Sequence, residues 1–166
     1  MGREVRIVPA NWEHPKEFVK MRGTEEYKPL HGRSFEEDAA HWDKARQEWE
    51  SGIYPSYADD DDKLMPYDKW AGQRPYSGDY MPNWPDAERT HYMMYENTTE
   101  GTPISPAFQT PEELARWLAD NNASAFAGET ASYDAWLRVA KGGYAPSAII
   151  RNGHMTSGVE GLGDSV

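Results

Sequence analysis

Thr110-Pro111-Glu112-Glu113-Leu114-Ala115-Arg116-Trp117-Leu118 is the stretch on which the fold of this 166-residue sequence turns. A threonine hydroxyl can accept from the orphan amide three residues on, and a glutamate at that position can reach back to the threonine amide. Proline suits the first helical position, because the donor it lacks would have no partner there. Leu114, Trp117 and Leu118 then form one apolar stripe, and Asn121-Asn122 closes the helix. A strand is expected just before it, in the aromatic and β-branched run His91 to Thr99, turned by Glu100-Gly101-Thr102-Pro103. After it a second helix is expected from about Thr130 to Ser132, burying Tyr133, Trp136, Leu137 and Ala140 and stopping at Gly142-Gly143. Ser147-Ala148-Ile149-Ile150 reads as a final strand ahead of the hairpin dipeptide Asn152-Gly153.

Upstream, Arg3 to Val8 alternates polar and apolar residues and is stopped by Pro9, as a short strand would be. Residues 11–15 and 27–32 read as extended loop. Ser34 and Glu37 form a second capping box, behind which Phe35, Ala39, Trp42, Arg46 and Trp49 recur at steps of four and three. That spacing predicts a helix ending at Gly52, with Phe35, Trp42 and Trp49 on its buried face. Between residues 52 and 90 five tyrosines interleave with five prolines and the acidic run Asp59, Asp60, Asp61 and Asp62. Proline at that density excludes a long helix or a central strand. A short helical turn is expected at Asp86 to Arg89.

The order strand, helix, excursion, strand, helix, helix, strand predicts a segregated α+β fold rather than a doubly wound sheet. The expectation is a small, mostly antiparallel sheet packed by about three helices, with the long irregular Tyr/Pro/Asp-rich excursion at 52–90. Residues 1–155 are expected to form a single domain, and 156–166 a flexible glycine-rich tail.

Composition narrows the chemistry. Seventeen Lys and Arg oppose 28 Asp and Glu, a net charge of −11, and residues 91–130 contain one base, Arg116, among six acids. Phosphate backbones need clustered cations, so direct binding of nucleic acid is not expected. Such a surface favours solubility and steers a basic protein partner, one with a nucleic-acid-binding surface included. The absence of cysteine removes disulfides, thiol catalysis and cysteine-bound zinc. No apolar run has the length of a membrane span, and the N-terminus lacks the apolar segment of a signal peptide, so a cytoplasmic protein without a membrane partner is expected.

Chemical motifs are sparse. His14, His31, His41, His91 and His154 show no zinc-type spacing, and the four consecutive aspartates lack the alternation, glycine and final glutamate of a calcium loop. No phosphate-binding loop, dinucleotide fingerprint or nucleophile elbow is present. No catalytic residue, metal or cofactor is therefore assigned. Ser105, Thr98 and Thr99 beside Glu96 and Glu100 fit turn chemistry at strand ends, although they keep open the alternative of a small hydrolase using histidine and carboxylates.

Three segments carry a resemblance: Arg6 to Pro15, Asp79 to Trp84, and Tyr95 to Pro106 continuing into Thr110 to Leu114. Together they resemble a group of small bacteriophage and prophage proteins. The similarity spans residue 3 to about 160 and is weakest over 52–78. No activity or cofactor comes with that group; it implies a phage genome and action in the cytoplasm of an infected host. The expected function is a non-enzymatic accessory protein that binds a host or phage protein, with counter-defence of the anti-CRISPR kind as its specific form. A virion assembly component is the other alternative. The expected contact set is Tyr54, Tyr57, Tyr67, Trp70, Tyr76, Tyr80 and Trp84, rimmed by Asp59, Asp60, Asp61 and Asp62. Aromatic anchors inside a polar rim match the anatomy of interface hot spots.

Overall fold

The strand read from Arg3 to Val8 forms as β1 (Gly2–Val8), and more of it is covered than alternation implies: Arg3, Arg6 and Val8 are all buried. The reason lies in its position. In the computed structural model, which describes residues 2–97, 101–151 and 153–161, β1 is a central strand of a four-stranded antiparallel sheet. Before the rest of that sheet the chain makes a hairpin, β2 (Lys16–Val19) and β3 (Thr24–Tyr27), in a region with no strand signal beyond a glycine turn.

Next come α1 (Phe35–Glu50), the four-residue α2 (Tyr67–Trp70), β4 (His91–Glu96) and β5 (Thr102–Pro103). These are followed by α3 (Pro111–Asp120), α4 (Tyr133–Gly142), β6 (Tyr144–Pro146), the hairpin β7 (Ala148–Arg151) and β8 (His154–Ser157), and α5 (Gly158–Gly161). The sheet order is β5-β4-β1-β6, every pairing antiparallel, with Val5 opposite Met94 and Glu4 opposite Tyr95. The protein is α+β, as the element order predicts. No helix among the described residues is long and apolar enough to cross a membrane.

The chain divides into two compact units: residues 1–30 with 83–166, and residues 31–82. The sequence reading places one domain over 1–155, with an excursion beginning at 52. The second unit instead begins at 31, takes α1 with it and ends at Pro82.

In the first unit, α3 and α4 cover one face of the sheet. Met94, Leu114, Leu118, Trp136, Val139 and Val159 are fully buried there with a set of alanines, and Val5 and Tyr92 pack against them. Burying side chains of this size stabilises the unit by roughly 1.5–3 kcal/mol each before entropy is charged against it. The capping box of α3 is complete: Glu113 N donates to Thr110 Oγ1 at 3.2 Å, and Thr110 N donates to Glu113 Oε2 at 3.1 Å. Gly143, with φ at 85°, closes α4 in the left-handed conformation.

Two expectations are corrected at the C-terminal end of this unit. The final strand of the sheet is β6, not the Ser147–Ile150 run, whose last three residues belong to the separate β7–β8 hairpin. Residues 156–161, expected in a flexible tail, close that hairpin and form α5. The cause is packing: Val159 is fully buried, and Gly158 lies so close to the Pro146 carbonyl that no Cβ fits between them. Residues 162–166 lie outside the described residues.

In the second unit α1 presents Phe35, Trp42 and Trp49 on one face, and the chain from 53 to 82 folds back across it. Of the predicted capping box only half is made. Ser34 Oγ accepts from Glu37 N at 3.2 Å and donates to Glu36 Oε2 at 3.1 Å, but the Glu37 carboxylate does not accept from the Ser34 amide in return. The indole of Trp49 donates to the Met65 carbonyl at 3.1 Å and that of Trp42 to the Gly72 carbonyl at 3.2 Å. Arg74 grips Asp43 with both ends of its guanidinium, at 2.9 and 2.8 Å. A strap that proline bars from any long helix or central strand is thus fastened by side chains of the helix beneath it.

Replacing Gly158 by Ala tests the packed C-terminal segment. The overlap with Pro146 is expected to lower the unfolding free energy, measured by urea titration, by more than about 2 kcal/mol. A change below about 0.5 kcal/mol, normal for a surface position, would return residues 156–161 to a solvated tail.

Candidate functional sites

The expected contact residues do not form one surface. Eight of the eleven do come together in the second unit, where rings stack on the buried Trp49. Trp70 lies nearly parallel to Trp49 with centroids 4.4 Å apart, and Tyr54 meets Trp49 edge-on at 4.9 Å. Tyr67 bridges Trp42 at 5.2 Å and Trp49 at 5.8 Å. Tyr57 stacks on Trp70 at 5.9 Å yet is 79% exposed. Next to it in sequence, Asp59 to Asp62 form a self-capped turn. Asp62 N donates to Asp59 Oδ1 at 2.8 Å, Asp59 N donates to Asp62 Oδ2 at 3.1 Å, and Lys63 pairs with Asp60 at 2.8 Å. That lysine, hydrogen-bonded to the carboxylate, holds Asp60 below the usual aspartate range. These hydrogen bonds close the turn on itself, and among the described residues no three His, Asp or Glu side chains converge as metal ligands would.

Three of the aromatic residues depart from the set. Tyr80 is buried, with its ring against His31 and Phe35 and its hydroxyl donating to Asp38 Oδ2 at 2.8 Å. It is a core residue of its unit because the phenol finds a carboxylate on α1. Tyr76 is exposed, with its ring lying so close to Gly78 that a Cβ there would strike it. Trp84 belongs to the other unit, edge-on to Trp12 at 4.7 Å.

The first unit holds a site that sequence reading missed. A solvent-open cavity of about 980 Å³ lies between the loop after β1, the β2–β3 hairpin and the run 103–107, with Trp12, Tyr27 and Trp117 among its walls. Behind it Tyr95, fully buried on β4, organises a hydrogen-bonded chain. Trp12 Nε1 donates to the Tyr95 hydroxyl at 3.1 Å, and His14 Nδ1 lies 3.1 Å from the same oxygen. His14 Nε2 is 2.6 Å from the Lys28 carbonyl, which only accepts, so Nε2 carries the ring proton and Nδ1 accepts from Tyr95. The Arg6 guanidinium sits over the Tyr95 ring, 4.4 Å from its centroid, and donates to the Leu30 carbonyl at 2.7 Å. Gly101, at φ 106°, leaves room for this arginine, since a Cβ would strike both Arg6 and the Leu30 carbonyl.

Both ring nitrogens of His14 are therefore engaged. Burial pushes its pKa down; the Lys28 carbonyl works against that, and the Arg6 charge adds to it. Burial likewise pushes the Tyr95 phenol up to about 12. Ser105 is engaged too. Its hydroxyl accepts from Met94 N at 2.9 Å and donates to the Pro106 carbonyl at 2.8 Å, relaying the β4 amide to that carbonyl. Both of these partners are backbone groups, so the hydroxyl serves the sheet. Thr98, Thr99 and Glu100, weighed with it as a hydrolytic group, lie outside the described residues.

Compared with protein-family models, with curated proteins and with solved structures, the chain matches none.

The Tyr95 chain makes stability depend on pH in two directions. An imidazole held neutral by the fold stabilises it fully above about pH 6.5 and loses that contribution as pH falls below it. A phenol raised to about 12 contributes fully below pH 10 and loses it as pH climbs from 10 to 12. Urea unfolding across pH is expected to show both declines. Tyr95→Phe is expected to cost roughly 1–3 kcal/mol at neutral pH by orphaning Trp12 and His14, and to shrink the alkaline decline. An unchanged alkaline limb would show that the phenol is not held as described.

Proposed function

We propose that the protein is a non-enzymatic phage accessory protein that binds a host or phage protein in the host cytoplasm, with counter-defence as its specific form. The observation that carries this reading is the Tyr57 ring, 79% exposed, resting on Trp70, which rests in turn on the buried Trp49. An aromatic residue already held in place by its neighbours loses little entropy when a partner covers it, and this makes tyrosine an effective anchor. Tyr54 stands beside the same stack. The self-capped turn of four aspartates adjoins it, in a unit where twelve acidic side chains oppose six basic ones. Most of those bases are already paired: Arg33 with Asp38, Lys44 with Glu48, Arg46 with Glu50, Lys63 with Asp60 and Arg74 with Asp43. What remains for a partner is aromatic surface in a negative field, which suits a basic protein surface of the type that handles nucleic acid. The resemblance to phage proteins supplies the setting.

The partner set recovered from bacterial lysate by the tagged protein tests this, compared with Tyr57→Ser and with an Asp59, Asp60, Asp61 and Asp62 to Asn variant. Wild type is expected to retain a stoichiometric protein. Tyr57→Ser should release it, and the charge variant should bind more slowly and with weaker dependence on salt. Recovery of no stoichiometric partner, or equal recovery by all three folded proteins, would overturn the proposal.

A further inference from the structure

The cavity of the first unit stands apart from that reading, and its walls have a chemistry of their own. Three aromatic residues line it, Trp12, Tyr27 and Trp117. An aromatic face is negative at its centre and attracts cations, and cages of such rings bind alkylammonium groups. Trp12 is a rigid wall, because its indole N–H is tied to Tyr95 and its ring is braced edge-on by Trp84. His14, also lining the cavity, adds no competing positive charge, since its two nitrogens are occupied and burial disfavours its protonation.

The charged side chains decide the sign of the ligand. Glu13 lines the cavity, is exposed, and makes no ion pair among the described residues. Lys16 also lines it, but its ammonium is already placed: Nζ lies over the Tyr27 ring, 5.1 Å from the centroid. The cavity thus holds a cation on one aromatic face, supplied by the protein itself, and leaves an unpaired carboxylate nearby. Lys16 is an exposed side chain on a four-residue strand and can swing out to solvent. The acidic chain as a whole favours cations in its neighbourhood. A volume of about 980 Å³ is ample for an ammonium group with an apolar stem.

We propose that this cavity is a binding site for an organic cation, an alkylammonium group on an apolar stem, caged by Trp12, Tyr27 and Trp117, neutralised by Glu13, and competing with Lys16 for the Tyr27 face. The same chemistry is offered by a free quaternary amine and by a lysine side chain of another protein.

The test is a titration at low ionic strength, followed by tryptophan fluorescence and calorimetry. Its probes are choline, its neutral isostere 3,3-dimethyl-1-butanol, hexanoate, and an acetylated, amidated Gly-Lys-Gly peptide with and without trimethylation of the lysine. Choline or the peptide is expected to bind about five- to thirtyfold more tightly than the neutral isostere, with hexanoate weakest. Binding by choline assigns the site to free amines, and binding by the peptide alone assigns it to a partner's lysine. The exposed variants give opposite signs. Glu13→Gln should weaken the cation by about two- to fivefold, and Lys16→Met should tighten it by a similar factor. Tyr27→Leu should weaken it in the Lys16→Met background as well, where near-ultraviolet circular dichroism reports whether the unit is intact. No saturable binding of either cation, preference for hexanoate or the neutral isostere, or weaker cation binding in Lys16→Met would each overturn the proposal.

Discussion

A phenol hydroxyl with no access to water must find its partners inside the protein or cost several kcal/mol, and Tyr95 meets that demand with groups from well-separated parts of the chain. Trp12 donates to it, it donates to His14, and Arg6 lies across its ring. His14 passes the constraint to the Lys28 carbonyl at the foot of the β2–β3 hairpin, and Arg6 passes it to the Leu30 carbonyl. The loop after β1 has no regular structure to hold it, yet two of its side chains are fixed to a buried strand. The cavity lies between this loop and the run 103–107.

The same device recurs in the second unit on a different scaffold. There Trp42, Trp49 and Tyr80 offer both a ring to stack on and a polar atom that fastens the chain around it: the Gly72 carbonyl, the Met65 carbonyl and the Asp38 carboxylate. A chain only 38% apolar builds its folded state from side chains that are hydrophobic in body and polar at the tip. Such rings serve core and surface together, as Trp70 does between buried Trp49 and exposed Tyr57. Two polar groups with potential for acid–base or nucleophilic chemistry, His14 and Ser105, are taken up by structure in this way.

Local signals account for much of the fold. The Thr110 capping box, the Ser34 cap, the steps between Phe35, Trp42 and Trp49, and the glycine stop after α4 were all legible, because each depends on residues within a turn or two of one another. The β2–β3 hairpin and β6 were not, since their short strands lack alternation and are held by pairing partners. Nor was the burial of residues 156–161, where glycine content suggested freedom but served close packing against Pro146. For the site, composition identified the aromatic, acidic stretch. It could not separate Tyr57, exposed on its stack, from Tyr80, buried against Asp38, because that difference is made by side chains on α1. The cavity residues gave no sequence signal at all: Trp12, Glu13, Lys16, Tyr27 and Trp117 are brought together by the Tyr95 chain and by the fold alone.

The claim beneath both proposals is that the imidazole at the cavity wall is a fastener and not a free base. Nitrogen-15 correlation spectra of the His14 ring test it most directly. The account predicts a single neutral tautomer, protonated at Nε2 with Nδ1 as acceptor, persisting below pH 6.5, with the Nδ1 resonance moving in Tyr95→Phe, where its donor is gone. A ring that exchanges between tautomers and titrates near its ordinary pKa would contradict it, and would put an available base inside the cavity.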